Sequence, residues 1–338
     1  MELSVRNKQI ANREETAGVG NEGCFLMEFG CVVGSICIFG GIWYNSRKTS
    51  HERLRGCRQS RPGSPFPTCR GRIQEMIALL NQAKTIVFKV GTSTLTHETG
   101  KTNLRCMEEL VMVLSELMNE GRQVVLVTSG AIGVGIGKLG LPERPKDTAG
   151  KQAAATVGQC ELMFMYDKMF GQYGHKVGQL LITKEDVDDP KRRQNLVQTF
   201  EKLFDFGAIP VINENDAVAV DEIVYGDNDS LSAVVATLIG ADALVILTET
   251  DGLYTANPMK DPAARRIARV EKITDEVRRY ASGDGTALGT GGMVTKLHAA
   301  EIATAAGVDT YIICGKDPRQ IYRLMEGEDL GTHFIAGE

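Results

Sequence analysis

The chain has 338 residues, with 38 Lys+Arg against 43 Asp+Glu and a formal net charge of -5. At 43% hydrophobic and 24% charged it has globular composition, which excludes fibrous and wholly disordered classes. The acidic balance argues against general nucleic-acid binding, which needs a basic surface.

Charge and cysteine divide the chain into two unlike pieces. Residues 1–75 hold 11 Lys+Arg and 7 Asp+Glu, and the rest holds 27 and 36. Cys24, Cys31, Cys37, Cys57 and Cys69 fall in the first piece, and only Cys106, Cys160 and Cys314 in the second. No pair has zinc or redox spacing, so the last three read as reduced cysteines. The uncharged run from Phe29 to Tyr44 has 16 residues. At ~1.5 Å per residue it reaches about 24 Å, short of the ~30 Å hydrocarbon core. Extending it back to Cys24 places Glu28 inside the membrane. Residues 24–44 are thus a candidate membrane segment, and the six basic residues from Arg47 to Arg61 would stay on the cytosolic side. The other reading of residues 1–75 is a non-globular upstream extension, and in either case 45–75 is a basic linker. The expected division is this extension and a catalytic domain, 76–338.

The second piece alternates strands and helices. TIVFKV begins at Thr85. LRCMEELVMVLSELMNE follows with apolar residues at helical spacing, Asn103 as its N-cap and Gly121 just past its end. QVVLVT, KVGQLLIT, AIPVI, ALVILT and DTYIIC continue the cycle. Runs apolar on both faces predict a mostly parallel sheet covered by helices on each side, an α/β three-layer αβα sandwich. Ligands in such folds sit at the carboxyl ends of the strands.

The loops at those ends are informative. Gly91-Thr92-Ser93 and Ser129-Gly130-Ala131 offer backbone N–H groups to an anion. Gly135-Ile-Gly137-Lys-Leu-Gly140 matches GxGxxG but follows its strand too late and lacks a strand-ending acid beyond it, so a dinucleotide fingerprint is rejected. Taken alone, Lys89 reads as an edge-strand lysine reaching water; beside Gly91, it also stands where a phosphate would sit. GTGGMVTK (289–296) leads a glycine-rich loop into a helix and puts Lys296 in its first turn. A cation there is unfavourable for the helix unless an anion answers it. Asn213-Glu214-Asn215-Asp216 closes one strand, and Gly226-Asp227-Asn228-Asp229 opens a helix. His51, His97, His175, His298 and His333 fall in none of these loops, so no protein metal ligands are assigned and histidine catalysis is not expected. Two lysines, N–H nests and Asp/Asn groups suit phosphoryl transfer, and an already ionised acceptor needs no general base.

KVGTS, VTSGAI, PVINENDAV, GDNDSLSA, GLYT and GTGGMVTK, in this order, resemble the glutamate 5-kinases of the amino-acid kinase family, from about residue 84 to 336. The resemblance implies ATP-dependent phosphorylation of the L-glutamate γ-carboxylate with Mg²⁺, the first step of proline synthesis, with proline as inhibitor, a homo-oligomer, and no nucleic-acid partner. It implies a cytoplasmic catalytic domain, with membrane association left to residues 24–44. It also makes Lys89, Lys296 and Asp229 catalytic, and gives Ser129, Asp216 and Asn228 to glutamate. Lys89, Thr248, Glu249, Thr290, Gly291, Gly292, Met293, Val294, Thr295 and Lys296 would line the ATP site. The family usually carries Asp where this chain has Glu249. Two alternatives stand beside this one: another carboxylate or carbamate kinase of the same fold, and a catalytically silent proline- or nucleotide-binding regulator.

Overall fold

The computed structural model describes residues 80–97, 101–219, 228–282 and 292–337. All lie in the second of two units into which the chain divides, Pro67–Glu338. The candidate membrane segment 24–44, the linker 45–75, Gly226, Asp227, Thr290 and Gly291 lie outside the described residues. Among the described residues no helix is long and apolar enough to cross a membrane.

Eight strands form one sheet: β1 (Thr85–Val90), β2 (Gln123–Val127), β3 (Lys176–Ile182), β4 (Ala208–Glu214), β5 (Ala243–Thr248), β6 (Arg269–Val270), β7 (Asp309–Cys314) and β8 (Thr332–Phe334). Their order is β3-β4-β2-β1-β5-β7-β8-β6, and every neighbouring pair is parallel except β7 with β8. The six apolar runs read from the sequence are β1 to β5 and β7. The two added strands are two and three residues long, too short to carry a pattern. β3 departs from the expectation of burial on both faces, because it is an edge strand and leaves Leu181 36% exposed.

The helices are α1 (Thr92–Leu95), α2 (Leu104–Asn119), α3 (Ala131–Leu139), α4 (Thr148–Gln172), α5 (Lys184–Asp188), α6 (Pro190–Asp205), α7 (Asn228–Leu238), α8 (Asp275–Ser282), α9 (Met293–Ala305) and α10 (Gln320–Met325). Asn103 caps α2 as expected, its side chain accepting from the Cys106 N–H at 3.2 Å. One face of the sheet is covered by α2 and α4, through Leu110, Leu114, Leu162 and Tyr166. The other is covered by α7 and α9, through Ala233, Val235, Ala299 and Ala300. β1 serves both cores. Ile86, Phe88 and Val90 belong to the first and Val87 to the second. Side chains alternate along a strand, so Lys89 shares the face of Val87 and points toward the α7–α9 layer. This overturns the edge-strand reading of Lys89, since β1 lies between β2 and β5 and the residue is only 4% exposed.

The GxGxxG run has a packing role. Gly135 and Gly158 stand where α3 crosses α4. A Cβ on Gly135 would collide with the Ala154 carbonyl, and one on Gly158 with the carbonyl of Ala131. Gly140 ends α3 in the left-handed region, with φ 64°. The crossing holds the start of α3 firmly against α4, just after the end of β2.

Candidate active site

Parallel strands present their carboxyl ends along one edge, and here the strand order reverses between β1 and β5, where such sheets bind ligands. Lys89 is the next-to-last residue of β1. α7 places Asp229 in its first turn, where a carboxylate suits the helix dipole, and α9 places Lys296 in its first turn, where a cation does not. The structure brings all three together. Asp229 Oδ1 lies 2.5 Å from Lys89 Nζ, and Oδ2 lies 3.0 Å from Lys296 Nζ. Thr295 Oγ1 donates toward Asp229 Oδ2 at 3.0 Å, and the Gly292 carbonyl stands 2.8 Å from the same hydroxyl. The anion that a first-turn lysine requires is therefore supplied from within the chain. Burial alone would push the Asp229 carboxyl up, but Lys89 and Lys296 outweigh it and hold it below the usual carboxylate range. Two buried ammonium groups gathered at the strand ends suit a site for a polyphosphate anion.

A second cluster adjoins the first through the Asn228-Asp229 peptide. Asn228 Nδ2 reaches the Thr128 carbonyl at 2.8 Å, Ser129 Oγ at 2.8 Å and Asn213 Oδ1 at 3.0 Å. Asn213 Nδ2 in turn donates to Gln159 Oε1 at 2.8 Å. Gly130, with φ 99°, turns the chain from Ser129 into α3 in a conformation that a side chain would strain.

The amino acid kinase family's sequence model matches residues 84–314, which span this whole arrangement. The chain belongs to the amino acid kinase family. A glutamate 5-kinase of Clostridium perfringens is 47% identical over 261 residues, 76% of this chain and 97% of the relative. That of Listeria monocytogenes is 49% identical over 261 residues, 76% of this chain and 95% of the relative. That of Moorella thermoacetica is 51% identical over 259 residues, 77% of this chain and 68% of the relative. Two solved structures share the fold. They are a UMP kinase from Bacillus anthracis (TM-score 0.52, 18% identity, 76% of this chain and 97% of that one) and a carbamate kinase from Giardia lamblia bound to AMP-PNP (TM-score 0.51, 19% identity, 76% and 100%).

Other expected residues of this amino acid kinase fall nearby without joining either cluster by a direct contact. Asp216 lies in the turn after β4, two residues beyond Glu214. Burial, then the charge of Asp216, push Glu214 up to about 7. Burial likewise raises Asp216, against the lowering pull of Arg144. Thr248 ends β5, next to the end of β1, and its carbonyl accepts from the Gly315 N–H at 2.7 Å. Glu249 and Val294 are exposed, and Gly292 caps α9 through its backbone.

Sequence reasoning overlooked Gln159 and gave Asn213 no role of its own. Gln159 carried a signal: it lies among Ala155, Leu162 and Tyr166, the buried stripe of α4, and an amide there has to be answered.

Proposed function

We propose that the chain transfers the γ-phosphoryl group of ATP to the γ-carboxylate of L-glutamate, forming L-glutamyl 5-phosphate, the first step of proline synthesis. The observation that carries this reading is the buried Lys89–Asp229–Lys296 triad at the strand ends, with the Ser129–Asn228 cluster beside it. The names of the relatives support the acceptor, and the AMP-PNP on the Giardia lamblia carbamate kinase supports a nucleotide donor.

The acceptor carboxylate is ionised at neutral pH, with an ordinary pKa near 4.3, and needs no base to attack the γ-phosphorus. As the bond to the leaving ADP oxygen lengthens, charge spreads over the transferring oxygens. Lys89 and Lys296 meet that charge from two elements, β1 and α9, while Asp229 fixes their positions and cancels one of their two charges. Ser129, Asn228 and Asp216 hold glutamate, with Asp216 as partner of its ammonium group. Thr248 and Glu249, with Thr290, Gly291, Gly292, Met293, Val294, Thr295 and Lys296, line the ATP site. Glu249 keeps the carboxylate of the usual aspartate on a longer stem. Mg²⁺ would arrive on the nucleotide phosphates, the usual mode for this small hard cation. Among the described residues no group of three His, Cys, Asp or Glu forms a cage for it. The same reading takes residues 76–338 as the catalytic domain, acting in the cytoplasm as a homo-oligomer inhibited by proline, and residues 1–75 as an extension.

The test offers Mg-ATP with glutamate, aspartate, N-acetylglutamate, carbamate or UMP to the purified chain, with hydroxylamine trapping acyl phosphate. The expected result is a hydroxamate from glutamate alone, suppressed by proline. Product from another acceptor in its place would move the chain to a different substrate of the same fold. Nucleotide binding without any turnover would make it a regulator.

A further inference from the structure

Gln159 is 7% exposed, and its Nε2 is buried without a hydrogen-bond partner among the described residues. An apolar side chain of equal length would fill the same stripe of α4 without leaving a donor unanswered. The amide's presence therefore points to work done by its oxygen.

Which end of each amide carries the oxygen follows from backbone groups of fixed identity. The backbone N–H of Glu214 meets Asn213 at 2.9 Å, so that end of Asn213 is its oxygen. Asn213 then turns its NH₂ to Gln159, which answers with Oε1. The group of Asn228 that faces Asn213 Oδ1 has to be NH₂, and the Thr128 carbonyl beside it demands the same. Ser129 Oγ lies 2.8 Å from the same NH₂, which can only donate, so the hydroxyl proton is directed away from that nitrogen. Asn228 Oδ1 is turned away too. The Glu214 N–H and the Thr128 carbonyl thus set the polarity of side chains from α4, β4, α7 and the loop after β2.

We infer that Gln159 is a positioning residue for the acceptor amino acid. By accepting from the Asn213 NH₂, its Oε1 fixes the side chain whose Oδ1 in turn holds Asn228, so that the Ser129 hydroxyl is offered to a carboxylate and the Asn228 carbonyl to an ammonium group. The inference rests on the reading of this cluster as the glutamate site.

The test compares Gln159→Met, which keeps length and loses the acceptor, with Gln159→Glu, which keeps an acceptor and loses the unpartnered donor. Both are made in the full chain and measured for KM of glutamate, KM of ATP, kcat and Tm. Gln159→Met should raise the glutamate KM about tenfold, the size of one lost hydrogen bond, with the ATP KM within about twofold. Gln159→Glu should recover most of that loss. An unchanged glutamate KM in Gln159→Met overturns the inference, as does a rise in both KM values together with a fall in Tm, which marks a merely structural residue. Should Gln159→Met not fold, Gln159→Glu decides alone: a parent-like glutamate KM upholds the role, and a tenfold rise removes it. A parent chain that makes no hydroxamate from glutamate overturns the site reading itself and this inference with it, a result distinct from either variant's.

Discussion

Lysine inside a buried strand persists only where its charge is answered, and the answer to Lys89 comes from Asp229, 140 positions along the chain. The same carboxylate holds Lys296, so removing Lys296 still leaves Asp229 paired with Lys89. Lys296→Ala should therefore fold, with kcat lower by ~10²-fold or more and the glutamate KM within a few-fold, because the lost charge acts on the transition state. Steady-state kinetics check this, and an undiminished kcat would remove Lys296 from the chemistry. Glu214 offers a prediction in pH. Its carboxyl is raised to about 7 from 4.5, so the folded chain favours the neutral form. The stability this contributes is complete below about 4.5 and is lost as pH rises through about 7. Glu214→Gln stays neutral throughout, so the variant should gain in Tm over its parent across that interval and level off above it. Thermal melts in a pH series decide, and a gap independent of pH would mean that Glu214 is not held neutral. Lys296 and Asp229 stood out in the sequence through the glycine-bearing runs before them. Lys89 stood out only through the Gly91 that follows it, its place in the sheet being misread, and the roles of all three came from the family resemblance. The Gln159–Asn213–Asn228 relay did not stand out, because its contacts join residues 54 and 15 positions apart, and no local pattern records such pairings.

At the scale of elements, a glycine of α4 and a glycine of α3 carry opposite expectations. Gly158 and Gly135 lie where the backbones of α3 and α4 touch, whereas a Cβ on Gly137 meets nothing within 4 Å. Gly158→Ala forces backbone against backbone and should cost about 1–3 kcal/mol or more. Gly137→Ala, at an exposed position inside α3, should gain about 0.5–1 kcal/mol from helix propensity. Denaturant unfolding of the two variants side by side checks the assignment, and equal effects would show that the crossing is looser than described. The central strands were readable because burial on both faces writes an uninterrupted apolar run. β3 was read as equally buried because Leu180, Leu181 and Ile182 continue the apolar pattern, and only its place at the sheet edge exposes it. β6 and β8 exist through their partners, with too few residues to announce themselves.

For the whole molecule, the break in charge and cysteine lies near residue 75 and the family match begins at residue 84. A chain of residues 76–338 should therefore fold and turn over glutamate with kcat and KM within about twofold of the full chain in the hydroxamate assay. An inactive truncation would show that part of residues 1–75 belongs to the catalytic unit. Architecture was the most legible property at this scale, since a repeated strand–helix alternation leaves few topologies open. The antiparallel entry of β8 was not legible. It lies between β7 and β6, and among the described residues β6 pairs with β8 alone. During translation Arg269–Val270 leaves the ribosome well before Thr332–Phe334, the strand it leans on. That end of the sheet closes from the inside, and its earlier strand waits for a later one, so the order of synthesis is not the order of assembly.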